Sequence, residues 1–222
     1  AGMSGESSGM VPRRIHQAWL GEELPDVYVE FGKGWQELHP GWEFYYWGDD
    51  RLPFMTNYQL FDSADTLNPP HSVGQFKADV LRYEVLRTYG GVWLDMDFEP
   101  RKALDPLCEE HPEGWGTTTG KGRAANAVMA FPAHHPAMIE AVKTLEVSVL
   151  TQGRKSNADR SGPGFVDPIF RRHGVHLYPS EWFFPYSVTR LNIDDLEVGP
   201  EVYGIHHWNN PRSRMNFMLE PG

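Results

Sequence analysis

The sequence predicts an α/β fold with a mainly parallel central sheet flanked by helices. Three observations carry that expectation. Short apolar stretches of strand length alternate with longer segments of helical periodicity through most of the chain. Turn-forming dipeptides such as Pro40-Gly41 and Gly90-Gly91 punctuate them. The 222 residues are 40% hydrophobic and 13% aromatic, with eight Trp, which suffices for a covered core in one domain.

Ile15 to Leu20 reads as the first strand, closed by Gly21. Pro25-Asp26 opens an amphipathic helix from Val27 to Leu38, weakened by Gly32 and Gly34. Beyond Pro40-Gly41, Trp42 to Trp47 is an aromatic strand, and Asp49 is placed to cap a short helical segment that Asn68-Pro69-Pro70 breaks. Ser72 to Tyr89 reads as a long helix. Ser72 and Gln75 have capping-box spacing, and Ala78, Leu81, Val85 and Tyr89 share one stripe. Asp79 and Arg82, three apart, fall side by side on its surface.

Gly90-Gly91 stops that helix, and Val92-Trp93-Leu94-Asp95-Met96-Asp97 follows as a strand. Gly114 to Thr119 and Ala124 to Phe131 are further strands, Pro136 to Leu150 a helix, and Arg154 to Gly164 a loop. Phe165 to His173 is a helix ended by Gly174, Val175 to Tyr178 a strand, and Pro179 to Pro185 an aromatic loop. His134-His135 marks a helix entry. The run Gly116 to Lys121 is no phosphate loop, because its glycine spacing is one short and no Ser or Thr follows Lys121. Residues 1–10 read as a disordered leader or expression remnant, and 11–222 as a single domain with a mobile tail from about residue 203.

A net charge of −10 disfavours general binding to nucleic acid or anionic membrane. No apolar run approaches the roughly 20 residues of a membrane span, and no signal-peptide core is present. Cys108 is the single cysteine, so no intrachain disulfide can form, which suits a reducing, cytoplasmic location.

The chemistry concentrates at Asp95-x-Asp97. Side-chain alternation along a strand would send both carboxylates to one side. Two carboxylates leaving a strand end together suit a hard divalent cation, and ligands of such sheets gather at the carboxyl ends of the strands. A solvated acidic turn is the plainer alternative.

Five motifs in order carry a resemblance to a known family: Ile15-His16-Gln17-Ala18-Trp19, Asp79-x-x-Arg82-Tyr83, Tyr89-Gly90-Gly91-Val92 with Asp95-x-Asp97, Ser161-Gly162-Pro163, and His206-His207-Trp208. Together, over Val11 to Pro211, the chain resembles the Asp-x-Asp sugar transferases that include yeast initiation-type mannosyltransferases and are similar to the glucosylating domains of large clostridial toxins. The resemblance implies a GT-A fold and retaining transfer of a hexose from a UDP- or GDP-sugar held through Mn²⁺, or Mg²⁺. The receiving hydroxyl would belong to a glycan, lipid-linked glycan, protein or modified base. It also implies that Gln17 and Trp19 line the base, and that Asp79, Arg82 and Asn126 contact the donor sugar or phosphate. Asp95 would reach ribose and metal, Asp97 and His206 would bind the metal, and Gly162 and His207 would belong to the donor site.

General chemistry agrees with those roles. Two carboxylates and an imidazole favour Mn²⁺ over Mg²⁺, because nitrogen suits the softer ion. Arg82 offers a planar fork that matches phosphate. One departure stands out: relatives carry Ser-Trp after the His-His-Trp element, whereas this chain has Pro211-Arg212, so Arg212 or Arg214 would meet the diphosphate instead. Two rivals remain. A haloacid-dehalogenase-type phosphatase also uses Asp-x-Asp, but Glu99 stands where it needs Thr or Val. A non-catalytic nucleotide-sugar or carbohydrate-binding module would retain the fold without turnover.

Overall fold

The computed structural model describes residues 9–21, 23–153, 155–187 and 198–208. In chain order the elements are β1 (Arg14–Ala18), α1 (Asp26–Leu38), β2 (Glu43–Trp47), α2 (Tyr58–Asp62), α3 (Ala64–Leu67), a 3-10 turn (Pro70–Ser72), α4 (Val73–Tyr89), β3 (Gly91–Leu94) and β4 (Phe98–Pro100). There follow α5 (Asp105–Glu110), β5 (Trp115–Thr117), β6 (Val128–Phe131), α6 (Pro136–Thr151), α7 (Asn157–Arg160), α8 (Pro163–Arg172), β7 (His176–Tyr178), a second 3-10 turn (Ser180–Trp182) and β8 (Gly204–His206).

Six strands form one sheet in the order β2-β1-β3-β6-β5-β7, and β4 pairs with β8 in a separate ribbon. β1 runs parallel to β2 and β3, and β5 parallel to β7. β6 is antiparallel to both of its neighbours. The mainly parallel sheet is therefore as expected, with β6 the reversed strand. Trp93, Met129 and Phe131 face a core built with Val80, Leu81 and Leu145 of α4 and α6. Val92, Leu94, Val128 and Ala130 face the opposite core, with Trp35, Trp115 and Phe183. Both central strands are covered on two sides, which is why they read as unbroken apolar runs.

The passage from α4 into β3 needs its glycines. Gly90 and Gly91 have φ of 62° and 109°. A Cβ on Gly90 would stand 2.5 Å from the Ala133 nitrogen, and one on Gly91 2.8 Å from the Arg14 carbonyl oxygen. This turn delivers β3, and the two aspartates after it, to the sheet's carboxyl edge. No helix among the described residues is long and apolar enough to cross a membrane.

Several expectations are corrected. Residues 154–164 are not a plain loop, since they contain α7 and the start of α8. The expected strand from Ala124 begins only at Val128, leaving 124–127 irregular beside the end of β3. The Ser72 side chain makes no cap to α4; its hydroxyl donates to the Pro69 carbonyl. Asp49 caps no helix and instead accepts from the Gly21 N–H at 2.8 Å. The stripe of Ala78, Leu81, Val85 and Tyr89 packs on the core as expected. Burial runs round the rest of α4, however, so that Asp79 and Arg82, expected on its surface, are buried with everything from Asp79 through Leu86. Residues 204–206 of the tail are built into β8, whereas Pro211, Arg212 and Arg214 lie outside the described residues, as do residues 1–8.

Candidate active site

β3 ends at Leu94, and Asp95-Met96-Asp97 form a tight turn closed by the Phe98 N–H donating to the Asp95 carbonyl at 3.2 Å. The two carboxylates thus converge through a turn rather than by strand alternation. The turn feeds β4, and β4 holds β8 in antiparallel register with Phe98 opposite His206. That pairing brings His206 across from the far end of the chain. One ligand atom each from Asp95, Asp97 and His206 lie within 4.8 Å of one another. His206 Nε2 is 3.1 Å from Asp97 Oδ1, while its buried Nδ1 has no hydrogen-bond partner among the described residues.

Asp95 is fixed from below. Trp93 Nε1 donates to its Oδ1 at 2.7 Å, and Arg82 Nη2 lies 3.2 Å from the same oxygen. Burial pushes the Asp95 carboxyl above the ordinary range; the Arg82 charge works against that, and neighbouring Asp97 adds to it. Two crowded carboxylates of this kind gain from a cation between them, and oxygen and imidazole donors fit a divalent transition-series ion.

Arg82 and Asp79 are not a surface pair. Their side chains are 4% and 3% exposed, 3.4 Å apart. Arg82 also donates to the carbonyl oxygens of Asn126 at 2.6 Å and Ala78 at 3.2 Å. Asp79 accepts from Ser161 Oγ at 2.7 Å and Asn126 Nδ2 at 2.9 Å. Asn126 Nδ2 reaches Tyr83 Oη at 3.1 Å as well. This buried network ties α4, the irregular 124–127 stretch and the segment before α8 beneath Asp95. It turns the Arg82 fork toward protein acceptors. Gly162 follows Ser161 and sits at the N-terminus of α8, where a Cβ would come 3.0 Å from Ala158 Cα.

A cleft of about 470 Å³ opens beside the turn, lined by Gln17, Trp19, Leu24, Tyr46, Asp49 and Met96 among others. Gln17 is fully buried, yet neither its Nε2 nor its Oε1 has a partner among the described residues. Trp19 Nε1 donates to the Glu23 carbonyl at 3.1 Å, and its ring packs against Tyr28 at 5.4 Å. The indole face is therefore held at the cleft while its N–H is already committed.

His207 differs from its neighbour. Its Nε2 is 2.9 Å from Glu99 Oε2 and its Nδ1 3.0 Å from Tyr186 Oη. Both ring nitrogens thus meet protein groups, and the ring stacks on Phe31. Trp93, Glu99, Ser161 and Tyr186 join the site without having been given a role in it from the sequence; Ser161 stood in a quoted motif, and Glu99 was named only as the residue that argues against a phosphatase. Glu99, two residues past Asp97, was the legible one of these; nothing local marks Tyr186.

Residues 25–113 match the family described as glycosyltransferase sugar-binding region containing DXD motif. Inositol phosphoceramide mannosyltransferase 3 of Schizosaccharomyces pombe is 32% identical over 147 residues, covering 62% of this chain and 38% of that protein. Mannosyl phosphorylinositol ceramide synthase SUR1 of Saccharomyces cerevisiae is 30% identical over 215 residues, covering 96% of this chain and 47% of that protein. The chain therefore spans less than half the length of these relatives. The solved structure of galactosyltransferase LgtC in complex with donor and acceptor sugar analogs matches with a TM-score of 0.54 at 13% identity, over 89% of this chain and 87% of that one. That likeness shows a GT-A fold.

Proposed function

We propose, from the premise that this chain is a GT-A relative of the DXD-containing glycosyltransferases, that it moves a hexose from a nucleotide-diphosphate sugar to a hydroxyl acceptor with retention of anomeric configuration. The observation that carries the reading is the convergence of Asp95, Asp97 and His206 within 4.8 Å beside a cleft that holds an unpartnered amide. A divalent cation, Mn²⁺ ahead of Mg²⁺, held by those three residues would supply the Lewis acidity that eases departure of the diphosphate.

The chain's own residues do the rest. Gln17 offers its amide to the edge of the base, and Trp19 presents a ring face beside it. Arg82 and Trp93 hold Asp95 in one rotamer, so the carboxylate is in place before donor arrives. Asn126, anchored on Asp79 and Tyr83, borders the sugar side. In the retaining route the acceptor oxygen bonds to the anomeric carbon on the face from which the diphosphate leaves. The acceptor proton passes to a diphosphate oxygen. The relatives' names make mannose the first sugar to try, and an inositol phosphoceramide hydroxyl the first acceptor.

The test is release of nucleoside diphosphate from a panel of GDP- and UDP-sugars, GDP-mannose included, with Mn²⁺ and candidate acceptors. Slow hydrolysis that stops on chelation supports the reading, with Asp97→Ala losing at least about 100-fold while staying folded. Saturable donor binding without turnover on every donor and acceptor would establish a binding module instead. Near-normal rates in Asp97→Ala would remove the metal assignment.

A further inference from the structure

We infer that the Glu99–His207 pair is a positioning device that sets the register of β8, and thereby decides which of two adjacent histidines meets Asp97. The inference rests on the metal site proposed above. β4 and β8 pair over three positions, Phe98 with His206, Glu99 with Ile205 and Pro100 with Gly204. The His207 N–H then donates to the Asp97 carbonyl at 3.0 Å. A two-stranded ribbon of that length has little intrinsic stability to fix its own register. A slip of one residue would send every side chain of β8 to the opposite face. With His206 beside His207, such a slip would still present an imidazole, but from a displaced backbone.

Side chains resist the slip. His206 shares a face with Phe98, their ring centroids 4.5 Å apart. His207 falls on the other face, diagonal to Glu99, and is 2% exposed against 14% for Glu99. A neutral His207 satisfies both of its neighbours at once: Nε2–H donates to Glu99 Oε2 at 2.9 Å, and Nδ1 accepts from the Tyr186 hydroxyl at 3.0 Å. The second Glu99 oxygen meets Arg101 Nη2 at 2.7 Å. The His207 ring stacks on Phe31 of α1 with centroids 5.4 Å apart and planes at 25°. Moving β8 by one residue would leave the half-buried Glu99 carboxylate with Arg101 alone and strand the buried Tyr186 hydroxyl, which is costly. Glu99 and His207 stand outside the Asp95–Asp97–His206 cluster, so their action on a cation passes through His206 and Asp97.

The experiment titrates Mn²⁺ into the full chain by electron paramagnetic resonance, reading the free-ion signal, with thermal midpoints measured alongside. Glu99→Ala is expected to weaken Mn²⁺ binding about tenfold, the lower end of what losing a group bonded directly to a metal ligand costs, because Glu99 acts one step further back. Glu99→Gln keeps an oxygen that accepts from His207 and should recover most of the affinity. Val149→Ala, a buried truncation on α6, controls for lost stability and should bind Mn²⁺ as the parent does. Glu99→Ala binding within twofold of the parent, or Val149→Ala weakening it equally, would overturn the positioning role. Should Glu99→Ala not fold, His207→Asn is held to the same threshold. No saturable Mn²⁺ binding by the parent would overturn the metal reading itself and the positioning role with it, an outcome distinct from an unresponsive Glu99 variant.

Discussion

Arg82 Nη2 lies 3.2 Å from Asp95 Oδ1 and 3.4 Å from Asp79 Oδ1, so one buried guanidinium bridges a helix carboxylate and the first aspartate of the turn. The cation offsets two acidic groups that burial otherwise drives toward the neutral form. It also lies over Trp93, 5.3 Å from the ring centroid, and that indole donates to the same Asp95 oxygen. Stability and site geometry are coupled at this residue.

Removing that bridge should be costly. Arg82→Ala leaves Asp79 and Asp95 without their shared counter-charge and frees the Asn126 carbonyl, and breaking a buried pair on one side costs about 3–5 kcal/mol. Urea unfolding of the two proteins measures it. A loss below about 1 kcal/mol, the range of exposed pairs, would show that the guanidinium is solvated in solution. Arg82→Lys should recover only part, since an ammonium cannot span four acceptors as the planar fork does.

Gln17 should behave in the opposite sense. A buried amide with neither end satisfied costs about 1–3 kcal/mol, so Gln17→Leu, close in volume, is expected to leave stability unchanged or raise it by about 1 kcal/mol. Donor binding should weaken at least about tenfold when a base loses its partner. Thermal melts and calorimetric titration with GDP and UDP in Mn²⁺ read the two effects separately. A stability drop beyond about 1 kcal/mol would mean that the amide already has a partner in the fold.

The order of elements was legible because each carries its own period and its own punctuation, as where Gly90-Gly91 ends α4 and opens the apolar run of β3. The direction of β6 was not, because a strand covered on both faces reads the same in either orientation. Asp79 and Arg82 were misplaced onto a surface for a related reason. Charged residues at helical spacing point to solvent unless a partner from another segment covers them, and here Ser161 and Asn126 do so from far along the chain. The Asp95–Asp97 convergence was anticipated, but its cause is the turn at Met96. The meeting of Glu99 with His207 depends on a β4–β8 register that no local pattern encodes. Gly34, read as a weak point of α1, is instead a contact: a Cβ there would stand 2.6 Å from Pro100 Cγ, so the glycine lets α1 lie against β4.

Acid should destabilise the fold through histidines held neutral. His16 is fully buried; its Nδ1 faces the Trp47 indole N–H at 3.3 Å and its Nε2 the Gly90 carbonyl at 2.8 Å. That geometry fixes the tautomer with the proton on Nε2. Burial lowers its pKa from 6.5 to about 4. His39 is shifted in the same direction by burial, with Nε2 accepting from the Leu104 N–H at 2.8 Å. A folded pKa below the unfolded one means that the unfolded chain binds more protons. The stability contribution is therefore complete above pH about 6.5 and is lost as pH falls toward about 4. For His16 alone the loss approaches about 3 kcal/mol, from about 2.5 pKa units at 1.36 kcal/mol each. Unfolding free energy measured by urea at intervals from pH 7 to pH 4.5 should fall steadily across that window. The slope should flatten in His16→Gln, whose amide takes no proton. An unchanged slope in that variant would show that His16 titrates normally and is open to water.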